Sequence, residues 1–73
     1  MASQIVLDRT GDTRHIFNKQ DRAEVAKAEQ RFMELTEAGF TAAVRAGPGE
    51  QRVIRCFDPT AEETLFYPRL VRG

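Results

Sequence analysis

Residues 21–39 read Asp21-Arg22-Ala23-Glu24-Val25-Ala26-Lys27-Ala28-Glu29-Gln30-Arg31-Phe32-Met33-Glu34-Leu35-Thr36-Glu37-Ala38-Gly39. From Asp21 to Ala38 there is neither glycine nor proline, and Ala, Glu, Lys, Gln, Met and Leu dominate, all residues that lose little on entering a helix. Val25, Ala28, Phe32 and Leu35 recur at the spacing that lines one side of a 3.6-residue period. Asp21 with Glu24 three positions on has the pattern of a capping box, and Gly39 is placed to stop the helix as a C′ glycine does. The stretch therefore predicts an amphipathic helix over 21–38. A helix with one apolar stripe must bury it, and the only partner surface the rest of the chain offers is a sheet.

Working outward, the flanking segments read as strands. On the N-terminal side, Gln4–Arg9 and Thr13–Asn18 are short, rich in β-branched residues, and separated by a turn around Gly11, which predicts an antiparallel hairpin. On the C-terminal side, Phe40–Ala46 and Gln51–Phe57 flank the loop Gly47-Pro48-Gly49-Glu50 and predict a second hairpin. Asp58-Pro59-Thr60-Ala61-Glu62-Glu63 starts like a helix but is long enough only for a short helical turn. Thr64–Tyr67 returns to strand character, and Pro68 confines the closing residues, 68–73, to a sheet edge or an extended tail. The order β-β-α-β-β-(short helical turn)-β predicts an α+β fold, one helix packed on a mostly antiparallel sheet. The helical crossover allows the first and last strands to lie side by side in parallel.

Seventy-three residues predict one small domain, 1–73, near the lower size limit for folding on a hydrophobic core alone. With 41% hydrophobic and 30% charged residues, the composition is globular rather than disordered. No apolar run is long enough to span a bilayer and no secretory leader is evident, so no membrane role and a cytoplasmic location are expected. The single cysteine, Cys56, excludes an internal disulfide framework and fits a reducing compartment; its place in an alternating segment predicts a buried small hydrophobe. Zero net charge argues against nonspecific attachment to nucleic acid or membrane.

Little in the chain points to catalysis. His15 is the only histidine. It has no Cys or second His at ligand spacing, so no metal site is expected, and beside Ile16 in a strand it reads as a packing or solvent-facing residue. One histidine among scattered acids makes no nucleophilic triad. Asp58, Glu62 and Glu63 cluster where capping and helix-dipole roles explain them. Gly47-Pro48-Gly49 lacks the Lys-Ser/Thr of a phosphate loop and opens no helix. Neither an enzyme nor a cofactor is expected. Arg14, Arg45, Arg52 and Arg55 all fall on predicted strands, with Arg45 and Arg55 expected as cross-strand neighbours, and could together line one sheet face. No aromatic pair interleaves with them as a stacking platform for bases requires, so nucleic acid ranks below protein as a partner.

Over nearly its whole length the chain resembles the ubiquitin-like β-grasp family. The matching pieces are Gln4-Ile5-Val6, the turn Thr10-Gly11-Asp12-Thr13, the helix from Asp21, and the closing Thr64-Leu65-Phe66-Tyr67-Pro68-Arg69-Leu70-Val71-Arg72-Gly73. The resemblance implies a last strand giving way to an Arg/Leu-rich tail whose terminal carboxylate, here that of Gly73, is adenylated by an activating enzyme and passed on to sulfur or an amine. It further implies that Arg69 and Arg72 steer the tail into an acidic groove, and that the outward sheet face, at Val53 or Ile54, is a recognition patch. Many β-grasp domains only bind partners.

These readings leave two functional expectations. The first is a non-catalytic protein-binding module that docks on a larger protein or complex, for example as a phage or mobile-element regulator, through Arg45, Arg52, Arg55, Arg69 and Arg72. The alternative is a ubiquitin-like modifier or sulfur carrier acting through Gly73.

Overall fold

The computed structural model describes residues 1–68. Helix α1 runs Arg22–Glu37. Asp21 is its N-cap, and its Oδ1 accepts from the Ala23 and Glu24 N–H groups at 2.9 and 3.3 Å. The reciprocal half of a capping box is not made: Glu24 Oε1 reaches past Asp21 to accept from the Asn18 N–H at 2.9 Å. Asp21 N–H is instead satisfied by Asn18 O, so the acid braces the whole turn that enters the helix. At the other end Gly39 adopts φ +104°, and the Gly39 and Phe40 N–H groups bond Thr36 O and Leu35 O. This is a Schellman ending, and it returns Phe40 to pack beside Leu35 on the core.

Five strands form one sheet: β1 (Ala2–Asp8), β2 (Gly11–Phe17), β3 (Thr41–Gly47), β4 (Glu50–Ile54) and β5 (Glu63–Tyr67). Their spatial order is β2-β1-β5-β3-β4. β1–β2, β3–β4 and β3–β5 are antiparallel, whereas β1 and β5 run parallel with Ile5 opposite Leu65. This is the α+β architecture the sequence predicts, with a β-grasp-like strand order. The β1–β2 turn is held by Asp8, whose Oδ1 accepts from both the N–H and the Oγ1–H of Thr10, and Gly11 comes next with φ +129°.

The core lies between α1 and one sheet face. Ala28 and Phe32 are its buried helix residues, with Val25 and Leu35 packed at its margins, so all four members of the predicted stripe face inward. Phe32 meets Phe66 and Phe57 edge-on, with ring centroids 5.6 and 5.9 Å apart, and Phe57 in turn meets Phe17 at 6.4 Å. Such aromatic pairs add about 0.5–1.5 kcal/mol each beyond the area they bury.

Three local expectations are corrected. β4 ends at Ile54 rather than Phe57. Continued alternation would put Cys56 beside Ile54 on the core side and turn Phe57 outward. The chain bends at Arg55 and Cys56 instead, and the larger apolar ring of Phe57 takes the core position. Cys56 is accordingly exposed, not a buried small hydrophobe. The segment after Asp58 forms a single turn and not a helical one: Asp58 Oδ1 accepts from Thr60 N–H and Oγ1–H, and Asp58 O accepts from Ala61 N–H. The side-chain contact resembles the one Asp21 makes at the start of α1, but β5 begins at Glu63 and leaves no room for a further turn.

Candidate functional site

Strand alternation decides which residues the helix leaves uncovered. Ala2, Gln4 and Val6 of β1, Thr64 and Phe66 of β5, and Ala42 and Val44 of β3 share the helix side. The opposite face therefore carries the residues between them. Its central row, read across the sheet by register, is Arg14–Ile5–Leu65–Ala43–Val53. Two residues along, Leu7 pairs with Asp12 and Tyr67 with Thr41, and in the other direction a row runs through Ile16, Ser3 and Glu63.

This face is apolar at its middle. Ile5 and Ala43 are 8% and 0% exposed, while Val53 and Ile16 stand 62% and 59% exposed toward its two edges. Of the two positions the resemblance names for an outward patch, Val53 is on the open face, and Ile54 packs into the core with Ala42 and Phe66. A one-residue difference in a period of two separates surface from core.

The candidate arginines do not gather on one face. Arg45 lies on the open side, where its Nη2 pairs with Glu63 Oε1 at 3.3 Å. Arg52 is opposite Val44, so its strand position belongs to the helix side of the outermost strand. Arg45 is opposite Gln51, and Arg55 lies in the bend beyond β4, so the expected Arg45–Arg55 pairing is not made. The bend that seats Phe57 carries Arg55 to a groove it shares with Glu29, Met33 and Glu37 of α1. Arg69, Arg72 and Gly73 lie outside the described residues.

Arg45 and Arg52 do meet along one cleft of about 880 Å³ at the β3–β4 turn end of the sheet, which Met1, Asp58, Glu62 and Glu63 also line. Its charge is balanced. Arg45 is paired with Glu63. The Asp58 carboxyl is held below its ordinary pKa, first by the Thr60 hydroxyl and amide and in smaller part by Arg52. Glu62 is likewise lowered by its bond from Lys19 Nζ at 2.5 Å. Exposed pairs of this kind add little to stability, because water screens them and both side chains lose freedom on pairing. The cleft offers matched charges and no nucleophile. Among the described residues no group of three or more His, Cys, Asp or Glu side chains could hold a metal ion, and no helix is long and apolar enough to cross a membrane.

Compared with protein-family models, curated proteins and solved structures, the chain matches none. The open face was only partly legible in the sequence. The consecutive apolar residues Ile5-Val6-Leu7 and Leu65-Phe66-Tyr67 are its signal, because a strand with one solvated face alternates with polar residues.

Proposed function

We propose that the protein is a non-catalytic binding module that docks on a larger protein through the uncovered sheet face. The observation that carries this reading is the apolar row Ile5–Leu65–Ala43 with Val53 exposed at one end, on the side of the sheet opposite the only helix among the described residues. Single exposed apolar residues are ordinary, but Val53 and Ile16 both project from one sheet face whose middle row is apolar, and an apolar face bordered by polar residues suits an interaction site. Arg14 and Arg45 border it and supply the charged rim usual at such interfaces. The partner surface that fits is apolar at its centre with acidic groups around it.

The test compares the wild type with Val53→Glu, each immobilised and exposed to lysate from the source. Proteins held by the wild type should be released or absent with the variant. Identical retained sets would remove the reading, provided circular dichroism shows both proteins folded.

The β-grasp-like strand order supports the alternative, a ubiquitin-like modifier or sulfur carrier. β5 is central in the sheet and leads from Tyr67 through Pro68 toward Gly73. Under this reading ATP, magnesium and source lysate yield an adenylate, thioester or thiocarboxylate at Gly73, detected by intact mass and abolished by deleting Gly73. Biological activity that survives the deletion would end it.

A further inference from the structure

The groove between the edge strand β2 and α1 is smaller than the balanced cleft, about 290 Å³, but its charge is one-sided. Arg14, Lys27 and Arg31 line it together with His15, against the single carboxylate of Glu24. That carboxylate is already engaged by the Asn18 N–H. Among the described residues the ion pairs are Lys19–Glu62 and Arg45–Glu63, and none involves these three cations.

Two features mark this as more than a solvated surface. Lys27 and Arg31 are four residues apart on α1, a mildly unfavourable like-charge spacing that puts both cations on the same groove. Arg31 is also held in place from below. Gln4, 0% exposed in the core, donates from Nε2 to Ala28 O at 3.0 Å and accepts on Oε1 from Arg31 Nη1 at 2.9 Å. A fully buried amide is thus committed to orienting one guanidinium, whose remaining N–H donors are left for a ligand. A fixed planar fork loses little freedom when it binds an oxyanion. His15 is directly opposite Gln4 in the β1–β2 ladder and lines the same groove as that guanidinium.

We propose that this groove binds a phosphate group in its dianionic form, with Arg31 as the fixed donor and Lys27 and His15 completing the cradle. The site adjoins the open sheet face, sharing Arg14 and Ile16 with its edge, but its fixed donor Arg31 lies on α1 and the proposal does not depend on the docking reading. His15 supplies an internal reporter. Its pKa is lowered, first by burial and then by Arg31, so the empty groove favours neutral imidazole. The charged groups facing it are Arg14 on β2 and Glu24, Lys27, Arg31 and Glu34 on α1, the last across an adjoining groove. A bound dianion adds negative charge beside the ring and raises the pKa.

The experiment is a proton NMR titration of His15 in inorganic phosphate and in chloride at matched ionic strength, on the wild type, Lys27→Gln and Arg31→Gln. The expected result is a higher His15 midpoint in phosphate. The response should weaken in both variants, with affinity falling about tenfold or more for Arg31→Gln, as for loss of a charge-assisted hydrogen bond. Lys27 is exposed, so its variant keeps the core intact. Equal midpoints in the two salts, or a phosphate response unchanged in Lys27→Gln, would overturn the proposal. A short phosphoserine peptide run alongside distinguishes the sources: tighter binding than inorganic phosphate assigns a protein-borne phosphate, and equal binding a free one.

Discussion

On the helix side of the sheet Phe66 and Ala42 lie against Phe32, whereas one residue along the same strands Leu65 and Ala43 face the side opposite α1. Both faces are apolar at the centre, but they are built differently. The covered face holds the fold together through large interlocking rings. The open face is built from aliphatic groups, with Ile5 and Ala43 buried and Val53 and Ile16 exposed. With the proposed docking role, stability and recognition fall on opposite sides of a single sheet.

The sharpest way to break that division is Phe32→Ala. Removing a fully buried ring from the aromatic cluster should cost about 3–5 kcal/mol. That is a large part of the about 5–15 kcal/mol that holds a small domain folded. Urea denaturation should show a midpoint shifted far down; a shift near zero would mean that the covered face is not the core. Gly39→Ala comes next. Open space surrounds a Cβ there, so the cost is backbone strain alone, about 1–3 kcal/mol at φ +104°.

A smaller effect belongs to His15, at the margin between α1 and β2. Its folded pKa lies below its unfolded one, so the unfolded chain binds the proton more readily. The stability it contributes is present above the ordinary histidine range and is lost as pH falls through the folded pKa. Denaturation curves across mildly acidic pH should show this slope, and His15→Gln should flatten it. Val53→Glu should have the least effect on stability, within about 0.5 kcal/mol as for other exposed positions, and the greatest on docking. A large loss of stability from this change would show that the open face carries part of the core.

The helix and both hairpins were legible in the sequence because each rests on local chemistry: the four-residue stripe, Asp21 and Gly39 at the helix ends, and glycines at the turns. The parallel pairing of Ile5 with Leu65 could be anticipated only as permitted, since residues so far apart leave no periodic trace. The end of β4 is hidden in the sequence because alternation continues through Cys56-Phe57, and only the space beside Phe17 and Phe32 decides which side chain turns inward. The arginines suffered the same ambiguity: one bend separates Arg55 from Arg45. The groove around Arg31 had no signal at all, because Gln4 and Arg31 meet only when β1 and α1 are packed.

The position of β5 between β1 and β3 has a consequence for how the molecule is made. The two hairpins do not touch as neighbours in the sheet; each is joined to the other only through the last strand. A growing chain can form β1–β2, α1 and β3–β4 and still have a sheet in two halves, with Phe32 lacking Phe66. Closing long loops late is slow and exposes apolar surface meanwhile. Folding of this domain should therefore be a single event timed by the emergence of Tyr67, and a chain cut before Glu63 should remain two unjoined hairpins, open to aggregation.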